Sequence, residues 1–398
     1  MKNLITYTLL LVLASFGCNI NQKEVKSGDE FLKIYNHPEE TLVFYTESVA
    51  QISGGGYLYV SAVKDDSSDI EYPATNMVRT NAAGVVEWSQ DYDWLAPASD
   101  LIMKNGSAFF VAMDPQLNAF AIMLDPGSGD IRGQYDLQMT MPLYAYGDQQ
   151  GNLMVLGYDF VSRSSWINKY NGNFELIRTT KLAVNADLVL MIQGHLNKTG
   201  DQFPFFIGEF STATSTGYYL SCFYNYTLRT VFLDISSLNL TGDIFSFQTD
   251  EAISSVIHKS ASLFGLTGYY EGNNYIVAET EVDVNISQSI KDFEGEQLYE
   301  LTYKAPVVST SINKDGESFA LIVSQTNANS LVIYQYAMES DSLVNTIYRI
   351  FDQRVEVADV IQTEDQGVAI LADIYLLGKY RRPVLLKEPA ALFFPPED

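Results

Sequence analysis

A polar turn with glycine, followed by a short apolar strand, recurs along most of this chain. From one turn glycine to the next the spacings are 50, 45, 49, 72, 44 and 51 residues. Five of these six intervals are near the length of one four-stranded propeller blade. The repetition therefore predicts an all-β chain, a β-propeller of about seven four-stranded blades. The turn glycines are Gly56, Gly106, Gly151, Gly200, Gly272, Gly316 and Gly367.

A second pattern lies between these turns: a strand, a glycine turn and another strand. It occurs over residues 76–88, 121–131 and 166–176. Glycine supplies the positive φ that a tight bend needs, so each of these segments predicts a hairpin. Together with the first pattern, each repeat holds four short strands, and long helical periodicity is missing almost everywhere.

Two features of the repeat leave alternatives open. The 72-residue interval predicts either an extra hairpin near residues 233–247 or a further, degenerate blade that would raise the count to eight. The last repeat supplies only three strands, while Phe31–Tyr35 precedes the first repeat without a blade of its own. We expect Phe31–Tyr35 to complete the last blade and remove two exposed edges. Leu392–Phe394 is the competing candidate for this role.

One of the hairpins resembles those of a known family. Residues 124–131 read Leu-Asp-Pro-Gly-Ser-Gly-Asp-Ile, which is similar to the Leu-Asp-x-x-Thr-Gly-x-Val hairpin of bacterial quinoprotein-like propellers. Residues 81–88 keep the glycine and end at Trp88, but the other repeats lack tryptophan at this place. The resemblance spans roughly residues 40–387 and implies the propeller architecture. It implies no activity, because propellers host many functions.

The first 17 residues have the pattern of a signal peptide. Lys2 precedes an apolar run from Leu4 to Ala14, which is too short to span a bilayer as a helix. Small residues then precede Cys18, in a box that resembles the looser lipoprotein signals of Bacteroidota, with Ser15 where many lipoproteins carry Leu. The resemblance implies cleavage before Cys18 and acylation of its thiol by chains such as palmitate. An ordinary secretory signal is the alternative.

These signals divide the chain into a signal peptide (1–17), a lipidated Cys18 with a flexible tether (18–30) and a propeller domain (31–398). We expect a location in the bacterial cell envelope, anchored by lipid, most simply at the outer membrane. Residues 22–24 loosely resemble surface-export signals, and the choice between the periplasmic and the cell-surface face stays open.

Composition excludes some functions. The formal net charge of −25 repels phosphate backbones, so nucleic acid is not an expected partner. After lipidation of Cys18, Cys222 is left alone in an apolar strand and is expected to be a buried thiol. The three histidines lack metal-ligand spacing, and no G-x-S-x-G or P-loop pattern occurs, so we expect no metal and no cofactor.

A candidate binding rim lies in two segments that are expected to be loops on one face. Carboxylates beside aromatic rings offer hydrogen bonds together with a stacking surface, a combination suited to sugars and cationic peptides. The alternative is that Trp94 packs between blades and that the aspartates are solvated turns. The candidate residues are Asp65, Asp66, Tyr92, Asp93 and Trp94.

The sequence therefore predicts a non-catalytic binding or scaffold propeller, held to a membrane by its lipid. Its ligand would be an envelope protein or a glycan. The alternative is a secreted glycan-active hydrolase that uses paired carboxylates in the propeller funnel, since blades bring distant acidic residues together.

Overall fold

The computed structural model describes residues 30–37, 39, 41–65, 72–248, 250–293, 295–377 and 380–394. The signal peptide, Cys18 and most of the tether lie outside these ranges. Within them the chain is all-β except for one short α-helix and two 3₁₀ turns. No helix in the described part is long and apolar enough to cross a membrane.

The seven strands that follow the first one form a single large sheet. The first strand, β1 (Phe31–Ile34), is short and belongs to the last sheet, described below. The following seven strands pair in chain order: β2 (Leu42–Gln51), β3 (Tyr57–Asp65), β4 (Ala74–Thr80), β5 (Val86–Lys104), β6 (Ser107–Met113), β7 (Asn118–Leu124) and β8 (Ile131–Thr140).

Two further sheets and a helix follow. The second sheet contains β9 (Pro142–Gly147), β10 (Leu153–Asp159), β11 (Ser164–Tyr170) and β12 (Leu176–Ala183). Helix α1 (Val189–Leu196) leads to the third sheet, which contains β13 (Ile207–Ser211), β14 (Thr216–Tyr224), β15 (Thr227–Asp234) and β16 (Leu240–Phe245).

Three sheets complete the chain. The fourth contains β17 (Glu251–Ser260), β18 (Leu263–Tyr270), β19 (Asn273–Glu281) and β21 (Glu296–Gln297), while β20 (Ser287–Ser289) pairs in parallel with β16. The fifth contains β22 (Val307–Lys314), β23 (Glu317–Gln325), β24 (Ser330–Ala337) and β25 (Leu343–Ile350). The sixth contains β26 (Val355–Gln362), β27 (Val368–Leu376), β28 (Tyr380–Glu388) and β1. The 3₁₀ turns are Ile290–Asp292 and Ala390–Leu392.

The sheets are arranged as a propeller. The innermost strands β2, β5, β9, β13, β17, β22 and β26 contact one another in a closed ring, and all of them line one central cavity. Strands near the centre of the ring are packed on both faces, and they therefore appear as apolar runs in the sequence. Every residue of β6, for example, is buried. The outer strand β8 instead alternates between exposed and buried positions over part of its length. The expected all-β propeller fold is confirmed.

The expected count of about seven separate four-stranded blades is wrong. Among the described residues, five sheets have blade size, with four or five strands, and the chain from Leu42 to Thr140 forms one seven-stranded sheet. The reason is β5, which runs unbroken for 19 residues. Its first half pairs with β4 and its second half with β6. Register shifts near Leu95 and Ala98 bend the strand where a loop was expected.

The long glycine interval has a simple cause. Gly200 lies in the loop after α1, before the first strand of its sheet, whereas Gly272 joins the second and third strands of the next sheet. Residues 233–247 include the end of β15 and all of β16, so neither an extra hairpin nor a hidden blade is found there in the described chain. The three expected hairpins are confirmed as β4–β5, β7–β8 and β11–β12.

The ring is closed by β1. Phe31 pairs with Lys387 and Ile34 with Val384 in an antiparallel ladder, so this prediction is confirmed. The Tyr35 N–H continues the ladder by donating to the Pro383 carbonyl at 2.9 Å. The competing segment does not pair as a strand: Phe393 and Phe394 are buried beside the 3₁₀ turn that precedes them.

Candidate functional site

A cavity of about 790 Å³ lies at the centre of the ring. Its wall is built from the inner strands, because the first strand of each sheet faces the axis of a propeller. Volumes between about 300 and 1,000 Å³ are typical of small-molecule pockets. The cavity is therefore the first candidate site of this molecule.

A strap formed by residues 184–206 contributes to the wall of this cavity. It leaves the second sheet, carries α1 and places His195, Lys198 and Phe203 in the cavity lining. Two bonds fasten it to the first sheet: Lys198 pairs with Glu47 at 2.7 Å, and the Lys64 ammonium donates to the Asn197 carbonyl at 3.0 Å. The strap thus spans the cavity from one side of the ring to another.

Two partly buried carboxyl groups lie in the cavity wall on the inner strands β5 and β26, which flank β2. The Tyr144 hydroxyl donates to Asp100 of β5 at 3.1 Å. Asp359 of β26 accepts from the Ser48 hydroxyl at 2.9 Å and from the Val49 N–H at 2.8 Å. Burial and the nearby charge of Asp359 raise the pKa of Asp100 to about 8. Burial also raises the pKa of Asp359.

Tyrosines and a third carboxylate extend this acidic wall. Tyr146 and Tyr219 line the same cavity as Tyr144. Glu209 accepts from the Gln149 N–H at 3.1 Å, and burial raises its pKa. The combination offers negative charge beside aromatic faces.

In another part of the wall, which also includes β26, the charges are neutralised. The Arg381 guanidinium bridges Glu356 at 2.9 Å and Asp373 at 2.6 Å. It also lies over the rings of Tyr45 and Tyr375, at 4.5 and 5.0 Å from their centroids. The Thr46 N–H donates to Asp373, so this cluster fastens β2 to the last sheet. Its geometry is that of a structural network.

A second candidate site lies outside the cavity, on the loop face that carries the strap. Val161, Leu190, Tyr226 and Phe247 are 80%, 83%, 65% and 85% exposed, and with the 43% exposed Met191 they form what we term the apolar rim. They lie on α1, in the β10–β11 and β14–β15 turns and after β16.

Contacts between the segments that carry these side chains bring the segments together. Arg163 pairs with Asp187 at 3.2 Å and thereby joins the β10–β11 turn to the strap. Val184 forms a bridge with Asn225, and the Thr227 hydroxyl donates to the Ser246 carbonyl at 2.9 Å. The residues of the apolar rim therefore lie on segments that contact one another.

The structure places the described residues of the rim predicted from the sequence on strands. Residues 91–94 lie within β5, so the expected loop there is wrong. Tyr92 is buried, and its hydroxyl donates to the Gly129 carbonyl at 2.6 Å. Trp94 is half-buried and packs on Phe120, with 5.0 Å between ring centroids.

The described acidic members of that set are exposed: Asp65 ends β3, and Asp93 lies within β5 between Tyr92 and Trp94. Asp66 and Cys18 fall outside the described residues. Binding by Asp65, Asp66, Tyr92, Asp93 and Trp94 stays a prediction.

Known proteins similar to this chain are found among solved structures. No protein-family model matches it, and no curated protein matches it. Similar solved structures include the Dos1 propeller (11% identity, TM-score 0.45, 90% of this chain and 95% of that one). Another is the WD40 β-propeller domain of Doa1 (9%, 0.47, 89% and 94%). A third is the open-velcro β-propeller domain of the Trilobed protease from Pyrococcus furiosus (10%, 0.45, 89% and 100%). At these identities nothing about function follows.

Sequence reasoning missed the residues that line the cavity. Asp100 and Asp359 are far apart in the chain and lie in no spacing motif, so only ring closure brings them together. The exposed apolar residues of α1 gave a weak signal, since Val189–Leu196 is rich in apolar side chains without being a strand. Among the described residues, no group of three or more His, Cys, Asp or Glu side chains is arranged to hold a metal ion.

Proposed function

We propose that this protein is a lipid-anchored envelope lipoprotein whose propeller binds a partner protein through the apolar rim and acts as a non-catalytic scaffold. The observation that carries the proposal is the exposure of Val161, Leu190, Tyr226 and Phe247 on segments that contact one another. The wide range of propeller functions makes this local surface a better guide than the fold.

The proposal is supported by the free energy gained when apolar side chains are removed from water. Fully burying one large apolar side chain contributes roughly 1.5–3 kcal/mol, so covering several of them supplies much of a protein–protein affinity. Soluble monomers rarely leave large contiguous apolar patches uncovered, and such patches mark interaction sites. Aromatic residues such as Tyr226 and Phe247 are enriched among the residues that dominate binding energies.

The positions of the lipid anchor and the apolar rim are compatible with one orientation of the propeller at the membrane. Twelve residues separate Cys18 from Phe31, and a chain of this length reaches at most about 40 Å. Phe31 enters β1 beside the Gly84 turn, and this turn lies at the opposite end of the strands from the β10–β11 turn of the rim. A tether from Cys18 would therefore hold the apolar rim away from the membrane.

The test uses the full chain in a bacterium that processes lipoproteins. A photo-crosslinking residue at Met191 should capture one defined partner. The double variant Leu190→Asp, Phe247→Asp should lose this capture without a change in the unfolding midpoint. The matched control is Leu343→Asp, since Leu343 is 50% exposed on the outer strand β25, and it should retain capture. Capture that survives the double variant would contradict the proposal.

The anchor is tested in the same cells. Mass spectrometry of the mature protein should find acyl chains on an N-terminal Cys18, and Cys18→Ala should release the protein from the membrane fraction. A single acyl chain binds membranes only marginally, whereas several chains hold firmly. A mature N-terminus without acyl groups would show that the anchor assignment is wrong.

A second candidate function is favoured by Asp100 and Asp359. Glycoside hydrolases use a pair of carboxyl groups as catalytic residues, and one of the two is protonated near neutral pH. In this role Asp100 would be the general acid and Asp359 the base or nucleophile. Release of reducing sugar from envelope glycans, abolished by Asp100→Asn, would favour the enzyme over the scaffold.

A further inference from the structure

The carboxylates of Asp100 and Asp359 lack a basic partner. Asp100 accepts one hydrogen bond from Tyr144, and the partners of Asp359 are Ser48 and backbone N–H groups. No ion pair between described residues includes either side chain. Two acids in one cavity wall are therefore left without a counter-charge from the protein.

The positive side chains that line the cavity are already engaged. Lys198 binds Glu47, Lys304 binds Asp250, and Arg381 binds Glu356 and Asp373. Burial and the neighbouring Lys198 hold the pKa of His195 well below its usual range, so this imidazole is neutral. Among the described residues that line the cavity, Lys198, Lys304 and Arg381 could not move to the acid pair without breaking an existing ion pair. His258 also lines the cavity, and its Nε2 lies 3.0 Å from the Ala261 carbonyl.

This arrangement is costly for the protein alone. Burial disfavours the charged form of a carboxyl group, and two such groups near one another repel when both are ionised. The raised pKa of Asp100, about 8, shows the result: near neutral pH it keeps its proton. A cation placed between the two groups would favour ionisation of both.

The surrounding wall is suited to an organic cation. Tyr144, Tyr146 and Tyr219 line the cavity beside the acids, and the face of an aromatic ring attracts ammonium groups. Thr46, independently of the acids, lines the same cavity and is only 7% exposed. Its hydroxyl has no hydrogen-bond partner among the described residues. A polar ligand at this wall would provide one.

A divalent metal fits less well. Calcium takes six to eight oxygen ligands, several of them usually carboxylates, and the described residues hold no cluster of three candidate ligands. Two carboxylates beside tyrosine rings instead match a compact ligand with ammonium groups and an apolar chain.

We infer that the central cavity binds a small organic diamine or polyamine, with Asp100 and Asp359 as its counter-charges. The volume of about 790 Å³ accommodates a molecule of this size. The site is separate from the apolar rim and goes beyond the proposed function, so each can fail without the other.

The experiment is calorimetric titration of the full chain with 1,4-diaminobutane in 150 mM salt. Binding should be saturable, and 1,4-butanediol, which has the same length and no charge, should not bind. Asp100→Asn and Asp359→Asn should each weaken binding at least tenfold. Tyr144→Phe keeps the ring and both carboxylates, so it should remain within about threefold of the original chain.

Proton release provides a second readout. Because binding favours the ionised form of Asp100, diamine binding at pH 7 should release protons, and the observed heat should change with the ionisation enthalpy of the buffer. Affinity should rise from pH 6 to pH 8.5. The groups facing Asp100 are Asp359 and Tyr144.

The matched control is Asp341→Asn, which removes one exposed charge in the β24–β25 turn and should leave affinity unchanged. The inference is overturned if the diamine does not bind at 10 mM or if the diol binds equally well. It is also overturned if binding survives in Asp100→Asn, Asp359→Asn, or falls as much in Asp341→Asn. Melting curves of every variant establish that each is folded.

Discussion

Closure of the ring depends on two aromatic side chains that flank β1. Phe31 packs edge-on against Tyr57, with 5.8 Å between ring centroids. Tyr35 packs against the fully buried Tyr59 at 5.3 Å, and its hydroxyl donates to the Gly84 carbonyl at 3.0 Å. The residues between them point outward. We therefore expect the stability gained from closure to reside mainly in these two rings.

The magnitude for Tyr35→Ala follows from three contributions. Partial burial of the ring is worth about 1–2 kcal/mol, the aromatic pair about 1 kcal/mol and the hydrogen bond about 1 kcal/mol. The sum is about 3–4 kcal/mol. Tyr35→Phe keeps the ring and should cost only the hydrogen bond, about 1 kcal/mol.

Leu32→Ala is the matched control on the same strand. Leu32 is 45% exposed, so the substitution should cost less than about 1 kcal/mol. The assay is equilibrium unfolding in urea, followed by circular dichroism and by tyrosine fluorescence. Equal losses in Leu32→Ala and Tyr35→Ala, or no loss in Tyr35→Ala, would refute the view that ring packing holds β1 in place.

Two further predictions concern titratable groups. Burial raises the pKa of the Cys222 thiol to about 12, so thiol reagents should label it only as fast as the protein unfolds; rapid labelling of the native chain would contradict this. Burial alone would raise the pKa of Asp159, but hydrogen bonds from Lys181 and Ser162 outweigh it and hold the pKa at about 2. This carboxylate therefore contributes stability above its unfolded pKa of about 3.9, and the contribution is lost as pH falls through about 2. The stability difference between the original chain and Asp159→Asn, measured in urea, should shrink from pH 5 to pH 2; a constant difference would show that the ion pair with Lys181 is not its source.

The placement of Phe31–Tyr35 shows what local reasoning can reach. A strand-like segment without its own repeat, together with a last repeat that lacks a strand, is enough to predict their pairing. Any propeller chain must cover its exposed strand edges to avoid pairing with other chains. The count of separate sheets was beyond this reasoning, because the course of β5 depends on bulges near Leu95 and Ala98 and not on a glycine.

The binding rim predicted at Tyr92 and Trp94 shows the limit of composition. Alternating aromatic and acidic residues fit an exposed loop, and they fit equally well a strand that buries one face. Only the pairing of β5 with β4 decides between these, and it turns Tyr92 toward the core.

The strand and turn chemistry of this chain and its repeats were determined by the sequence alone, since each depends on residues close together in the chain. The closing strand was predictable for another reason, because it lacks its own repeat and the last repeat lacks a strand. The proximity of Asp100 and Asp359 and the grouping of Val161, Leu190 and Phe247 were decided only by the tertiary structure. Asp100 and Asp359 are about 260 positions apart, and no local pattern marks them as a pair. The electrostatic and hydrophobic free energies of both sites arise from these long-range contacts.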